Sequence, residues 1–360
     1  MVSQNKKVAI VGIQGVPAHY GGFETLVENL IKQHNDKNIE YTVFCSKYDL
    51  PTHLKTYEKA QLKYLFLHSN GIESIFYDFF AMLRAIKGYD TILILGISGC
   101  IFIPVIKLFS SAKLVVNIDG VEYKRKKWNR SARWFLHLSE KVAVRFADTV
   151  VADNKGIQDY VIETYHKNPQ LIAYGGDHVL VNVPEEEQAA CLKRYGLSKN
   201  GYALTVCRIE PENNIDMILD VFAGSQDKIV IVGNLQVSSY SRKLVQQYSQ
   251  YNNILLIDAV YDKVSLYILR HNAGYYVHGH SAGGTNPSLV EAMFFGRPIL
   301  AYDVLYNRVT TFEQAKYFAN KEELKILITQ TKSMNGLLLQ QMASERYTWQ
   351  IITRQYEELY

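Results

Sequence analysis

The stretch His-Gly-His-Ser-Ala-Gly-Gly-Thr-Asn-Pro-Ser-Leu-Val-Glu, residues 278–291, concentrates the groups that recognise a phosphorylated, hydroxylated ligand. Gly283 and Gly284 open backbone conformations closed to other residues and let a ligand approach the main chain. Pro287 suits the first turn of a helix, which places the Thr285 and Asn286 amides at a helix N-terminus, where free N–H groups favour an anion. Glu291, one turn further in, is placed to accept hydrogen bonds from a sugar hydroxyl. The other reading is a strand–turn–helix connection whose glycines only make the turn. Arg208 directly follows an apolar strand pattern at 203–206, so its guanidinium can fork onto a phosphate; the alternative is a surface ion pair with Glu210 or Glu212. Near the N-terminus, Gly12, Gly15, Gly21 and Gly22 fall within eleven residues after another strand pattern. They do not form the G-x-G-x-x-G fingerprint. His19, Tyr20 and Glu24 give this loop polar groups suited to a hydroxylated ligand, at the end of a strand where open α/β sheets bind.

The elements that must hold these residues alternate. Short apolar strands are predicted at 8–13, 41–45, 63–67, 91–95, 114–118, 149–151 and 170–172, with helices such as 23–33, 75–86 and 130–146 between them. After a polar break at Val183-Pro184-Glu185-Glu186-Glu187, a second series has strands at 203–206, 228–232, 254–257, 273–277 and 298–301. Its helices start near Asn214, Ser238, Asp262 and Pro287. Strands alternating with helices mean parallel sheets covered on both faces, and two series mean two doubly wound domains. A chain of 360 residues is also too long for one typical core. The expected division is 1–176, 177–340 and a C-terminal helix, 341–360, returning to the first domain.

Composition sets the surroundings. Hydrophobic residues at 48% and charged residues at 21% are those of a globular protein. Four scattered cysteines, with no C-x-x-C, suit a reducing compartment. The absence of D-x-D and H-E-x-x-H gives no support for a metal site. The apolar run 92–109 is punctuated by Gly96, Gly99 and Pro104, and reads as a strand, a turn and a short buried helix rather than a membrane span. Residues 1–175 carry 22 Lys+Arg against 16 Asp+Glu; the remainder carries 17 against 19. The surplus centres on Lys124, Arg125, Lys126, Lys127, Trp128, Arg130 and Trp134, a mixture suited to an anionic membrane surface or anionic substrate. Nucleic acid is disfavoured, because the surplus is small and no nucleic-acid-binding motif is present.

Taken together, these segments resemble the retaining GT-B glycosyltransferases of glycosyltransferase family 4. Within that family the chain is similar to the bacterial rhamnosyltransferases of capsule, O-antigen and cell-wall polysaccharide assembly. The resemblance is carried by the 12–25 loop, by 117–128 (Asn-Ile-Asp-Gly-Val-Glu-Tyr-Lys-Arg-Lys-Lys-Trp), by 152–157, by Tyr174-Gly175-Gly176-Asp177, by 208–214 and by 283–291. It departs from the wider family twice. Gly283 stands where the first glutamate of an E-x7-E pair would be, and Asn213 stands where a phosphate-binding lysine would be.

The resemblance implies a metal-independent hexosyltransferase with no cofactor beyond its nucleotide-sugar donor, best matched by dTDP-β-L-rhamnose. Arg208 would stabilise the leaving diphosphate, with Gly15, Gly21, Gly22, Gly283, Gly284, Thr285, Asn286 and Glu291 around the donor. His19, Tyr20, Glu24, Asp119 and Glu122 would serve a lipid-linked sugar diphosphate acceptor. Asp119, which joins Arg208 as a catalytic candidate through a polar contact to the acceptor or the transferred sugar, is equally suited to capping the turn before Gly120. The basic, Trp-containing segment would hold the enzyme peripherally on the inner face of the plasma membrane. Two other classes stay open: a nucleotide-sugar-binding protein without turnover, and a GT-B epimerase.

Overall fold

The computed structural model describes residues 5–18, 21–34, 36, 38–125 and 128–360. In chain order the first elements are β1 (Lys6–Val11), α1 (Gly22–Gln33), β2 (Ile39–Ser46), β3 (Thr56–Tyr57), β4 (Ala60–Leu65), α2 (Glu73–Ala85) and β5 (Thr91–Leu95). They are followed by α3 (Ile103–Phe109), β6 (Lys113–Asn117), α4 (Arg130–Phe146), β7 (Thr149–Ala152), α5 (Lys155–Tyr165) and β8 (Gln170–Leu171). Then come α6 (Glu185–Arg194), β9 (Ala203–Val206), α7 (Ile215–Ala223), β10 (Ile229–Val232), α8 (Ser239–Tyr248), β11 (Ile254–Ile257) and α9 (Lys263–His271). The last are β12 (Tyr275–His278), α10 (Pro287–Met293), β13 (Ile299–Tyr302), α11 (Leu305–Thr310), β14 (Lys316–Phe318), α12 (Lys321–Gln330), α13 (Leu337–Arg346) and α14 (Trp349–Glu357).

The chain forms two compact units, Met1–Tyr174 with Trp349–Tyr360, and Gly175–Thr348. Residues 341–348, expected in the returning helix, belong to the second unit. The returning segment is α14, whose Trp349, Ile352 and Tyr356 are buried in the first unit's core. Tyr356 also accepts a hydrogen bond from Asn117 Nδ2 at 2.7 Å, tying α14 to the end of β6.

The first unit's sheet runs β3-β4-β2-β1-β5-β6-β7-β8, parallel except for the β3 edge. Val8–Val11 and all of β5 are buried, as expected of strands covered on both faces. Parallel crossovers are right-handed. The β1-to-β2 step runs one way along the sheet and the steps through α2, α3, α4 and α5 run the other, so α1 lies on one face and α2–α5 on the opposite one.

The second sheet runs β11-β10-β9-β12-β13-β14, all parallel. Strand order reverses between β9 and β12, and such a switch point leaves a crevice at the carboxyl ends of the strands. In the first unit the reversal falls between β1 and β5. The sequence did not signal β3 or β14, each three residues or shorter. The polar break after Pro184 proves to be the acidic first turn of α6. The stretch 91–109 is strand, turn and short helix as expected, but α3 is buried on one side only: Ile103 and Ile106 are covered, whereas Val105, Leu108 and Phe109 are exposed.

Candidate functional site

In the second unit, the loops that follow β9 and β12 meet at the switch point and are bound to each other. Ser281 donates from its amide (2.8 Å) and its hydroxyl (2.9 Å) to the Glu212 carbonyl. Asn214 Nδ2 donates to the Gly279 carbonyl at 2.7 Å. Gly279 is required here, because a Cβ would stand 2.1 Å from the Asn213 carbonyl oxygen.

Asn213 has a structural task. Its Nδ2 donates to the Arg208 carbonyl at 2.7 Å, and its Oδ1 lies 2.7 Å from His280 Nδ1. The amide oxygen can only accept, so His280 carries its proton on Nδ1. Where the resembled family has a phosphate-binding lysine, this chain has a buried brace that fixes the Arg208 loop. Arg208 itself is exposed beyond that brace. Its nearest ionic contact, Glu210, is 3.8 Å away, too long for a hydrogen bond. The surface-pair reading is thus met only weakly, and the guanidinium remains available to a phosphate.

Across the switch point, Gly284 adopts φ +93°, the conformation that favours glycine. Asn286 is the N-cap of α10, at the helix N-terminus as expected, and its side chain is used there, accepting from the Ser288 amide at 3.0 Å and hydroxyl at 2.7 Å. Thr285 is buried beside it. Glu291 was expected to offer its carboxylate to a ribose. Its Oε2 pairs with Arg270, and its Oε1 lies 3.4 Å from His178 Nε2. Burial alone would raise this carboxyl; Arg270 and His178 outweigh it and hold the group below its usual range. The carboxylate is therefore charged and fixed before any ligand arrives.

Arg270 and His178 were not singled out in the sequence. Gly176 was visible as part of a glycine pair, and its task is now clear. A Cβ there would stand 2.9 Å from Val290 Cγ1 and 2.8 Å from Phe294 Cε2, so glycine lets the 177–179 turn close on α10 and bring His178 to Glu291. Beneath these loops His278 is buried, with no partner on Nε2. Burial and then the nearby His280 push its imidazole well below the usual range, so it is neutral at pH 7.

The first unit separates its candidates. His19, Tyr20, Lys126 and Lys127 lie outside the described residues. Glu24, expected to meet an acceptor, is buried and folds back on its own loop, accepting from the Gln14 amide at 2.9 Å. Burial raises its carboxyl despite that hydrogen bond. Gly21 makes the fold-back possible, since a Cβ would stand 1.9 Å from a Glu24 oxygen. Gly15, at φ +139°, is likewise demanded by packing, against Leu50 and Cys45. Gly22 is the first residue of α1. These three glycines lie in the first unit, whereas Arg208 and the 283–291 segment lie in the second.

Asp119 sits half-buried just past β6 at φ +59°, with its amide donated to Asn117 Oδ1 at 2.9 Å. Glu122 does not face outward as an acceptor ligand. It accepts from Arg125 Nη1 and Trp128 Nε1, each at 3.0 Å. Arg125 and Trp128, expected against lipid, are thus turned inward. Lys124 lies over the Tyr160 ring at 5.0 Å, while Arg130 and Trp134 remain exposed. No cluster of three or more metal-ligating side chains occurs among the described residues, and no helix among them is long and apolar enough to cross a membrane.

With this geometry in hand, the chain can be set beside known proteins. Residues 192–333, within the second unit, match the family model described as Glycosyl transferases group 1. Residues 5–177 match a model described as Domain of unknown function (DUF1972). No curated protein matches. Among solved structures, the chain resembles sucrose-phosphate synthase from Thermosynechococcus elongatus, with TM-score 0.83, 17% identity, and 99% of this chain and 98% of that one covered. It resembles Anabaena HepE in complex with UDP-glucose, with TM-score 0.76, 15% identity, and 98% of each chain covered. It also resembles the catalytic domain of starch synthase IV from Arabidopsis thaliana bound to ADP and acarbose, with TM-score 0.72, 16% identity, and 99% of each chain covered. The fold is the two-domain α/β GT-B fold of glycosyltransferases.

Proposed function

We propose that this chain is a retaining glycosyltransferase that takes a nucleoside-diphosphate sugar, with dTDP-β-L-rhamnose as the expected donor, and transfers its sugar to a lipid-linked saccharide. One observation carries the reading. An exposed arginine on a braced loop and a pre-charged glutamate stand on the two sides of one switch point, inside a glycosyl transferases group 1 domain.

The chemistry follows from the charges. Breaking the sugar–phosphate bond builds negative charge on the departing diphosphate, and preorganised donors aimed there lower the barrier. Arg208 supplies a cation whose loop is fixed by Asn213 and His280 before the ligand binds. The backbone of Gly283 and Gly284 allows close approach of the phosphates, and Glu291 offers its remaining lone pairs to the ribose. Retention by same-face attack, with the departing phosphate taking the acceptor proton, requires no side-chain nucleophile. We place no metal in this mechanism, consistent with the lack of a D-x-D sequence. A lipid-linked acceptor would bring the protein to the inner face of the plasma membrane.

The HepE comparison favours a second donor class, since that protein was solved with UDP-glucose. The deciding experiment incubates the purified chain with dTDP-rhamnose, UDP-glucose and ADP-glucose in turn, together with a lipid-diphosphate saccharide. Product is followed by mass spectrometry. Transfer from dTDP-rhamnose alone supports the reading, transfer from UDP-glucose alone replaces the donor, and no transfer or donor hydrolysis from any of them removes the enzyme.

A further inference from the structure

Helix α2 is apolar on both sides. Its inner side is accounted for by the core: Tyr77, Ala81, Met82 and Ala85 are buried, and the Tyr77 hydroxyl contacts the Ile13 and Phe44 carbonyls at 2.8 Å each. Its outer side carries Phe76, Phe80 and Leu83, with Ile72 just before the first turn, and all four are exposed. These positions fall at i, i+4, i+8 and i+11, one stripe of a helix. A helix apolar all round is normally buried, so the outer stripe is not explained by folding.

The stripe does not stand alone. Right-handed crossovers put α2, α3 and α4 on the same face of the sheet. Phe79 of α2 packs on Phe102, which leads into α3, at 4.3 Å between ring centroids. Ser110, just past α3, donates to the Ile86 carbonyl at 3.1 Å, and Lys107 of α3 donates to the Phe146 carbonyl of α4 at 3.0 Å. The three helices thus form one layer. Its middle helix exposes Val105, Leu108 and Phe109, the last two at 79% and 69%, and α4 adds Trp134 at 69%. Monomeric proteins rarely leave so large an apolar area open.

Charge indicates what covers it. The exposed charged side chains on these three helices are Arg84, Lys107, Arg130, Arg133, Lys141 and Arg145 against a single acid, Glu73; Lys107 pairs with Asp148 just past α4, so the basic excess rests on the other five. Asp78 and Glu140 are buried. On α4, Arg130, Trp134, Lys141 and Arg145 share one stripe. Leu, Phe and Trp set among Lys and Arg on one face is the composition of helices that lie in a membrane interface and select anionic lipid.

We propose that the outer face of α2, α3 and α4 docks on an anionic phospholipid surface, with the α2 and α3 side chains entering the acyl boundary and the basic residues of α4 meeting headgroups. The surface differs from the 124–128 turn, whose Arg125 and Trp128 are spent on Glu122. It rests on the proposed lipid-linked acceptor for its purpose, but not for its physics.

The test is flotation of the full chain with vesicles of phosphatidylglycerol and phosphatidylcholine, or of phosphatidylcholine alone. The wild type should float with the mixed vesicles and less with the neutral ones. The variant Phe76→Ser, Phe80→Ser, Leu108→Ser, Phe109→Ser should lose at least tenfold in vesicle partition at every salt concentration. The variant Arg130→Gln, Arg133→Gln, Lys141→Gln, Arg145→Gln should lose the preference for the anionic vesicles. Lys124→Gln should bind as the wild type does. Circular dichroism controls for folding, and all substituted positions are exposed.

Unchanged flotation of the fourfold serine variant would overturn the proposal. So would a wild type that ignores vesicles yet elutes as a dimer which the same variant dissociates, since the face would then join two copies. Transfer to a water-soluble acceptor is measured in parallel. Flotation with neither transfer nor donor hydrolysis from any of the three donors removes the enzyme reading and leaves this surface, whereas transfer without flotation does the reverse.

Discussion

At the scale of single residues, the chemistry divides between groups that can reach a ligand and groups that hold them. Arg208 is the clearest of the first kind. Arg208→Ala removes one preorganised charge contact and should lower kcat/KM by about a hundredfold or more, roughly 3 kcal/mol, with an unchanged melting temperature. Steady-state kinetics beside a thermal melt check both parts. Glu291 is different, and its neighbours change what a substitution does. Its partner Arg270 is buried, so Glu291→Gln strands a guanidinium, at a cost of about 3–5 kcal/mol. A lower melting temperature is expected together with weaker binding of free nucleoside diphosphate. Adding Arg270→Met should restore stability without restoring affinity. Calorimetry showing that the double variant regains wild-type affinity would place Glu291 outside the ligand site. The motifs made Arg208 and Glu291 legible in the sequence. Arg270 and His178 were not, because neither lies near Glu291 in the chain, and only the closing of the 177–179 turn on α10 brings them there.

At the scale of elements, legibility followed burial. Strands inside the sheets, such as β5 and β9, are buried and carry mainly apolar runs, and their predicted bounds match the structure. Edge strands β3 and β14 are short and half-exposed, so no such run announces them. Loops were legible as loops but not in their tasks. Gly15 and Gly21 read as ligand-binding glycines, yet each is required by a neighbour's side chain, as is Gly176 of the 175–176 pair. Helix α2 gives an element-level prediction. Its Asp78 is buried against the turn after β5 and accepts from the Gly99 amide at 3.1 Å. Burial dominates over that bond and pushes the carboxyl up to about 8 from 3.8. A folded value above the unfolded one means stability that is complete below pH 3.8 and is lost as pH rises through about 8. Asp78→Asn keeps the acceptor and removes the titration. Urea midpoints of the two proteins should therefore diverge between pH 5 and 8, the wild type falling relative to Asp78→Asn by at most about 1.4 kcal/mol per pH unit. Parallel pH profiles would show that Asp78 is not protonated in the folded state.

At the scale of the whole molecule, the two units have different relations to the chain. The second is one continuous segment, 175–348, with its own core around Ile218, Phe222, Ile231 and Val277. The first is assembled from both ends, and Trp349 and Tyr356 complete its core. The surplus of positive charge lies in the first unit's sequence and the match to Glycosyl transferases group 1 in the second, so the proposed surface attachment and the proposed nucleotide recognition fall on different units. That separation predicts where a nucleoside diphosphate without its sugar is felt. All the groups assigned to the diphosphate and ribose with side-chain geometry, namely Arg208, the 283–286 backbone and Glu291, belong to 175–348. Ligand that binds the native state protects it by mass action, by about 2.7 kcal/mol at a hundred times Kd. Hydrogen exchange of the full chain with saturating dTDP or UDP should therefore slow in peptides covering 176–179, 207–214 and 279–291. Peptides of β1 and α2–α4 should exchange as they do without ligand. Protection confined instead to the 12–25 loop would move the nucleotide to the first unit and overturn the assignment of Arg208 and Glu291 together.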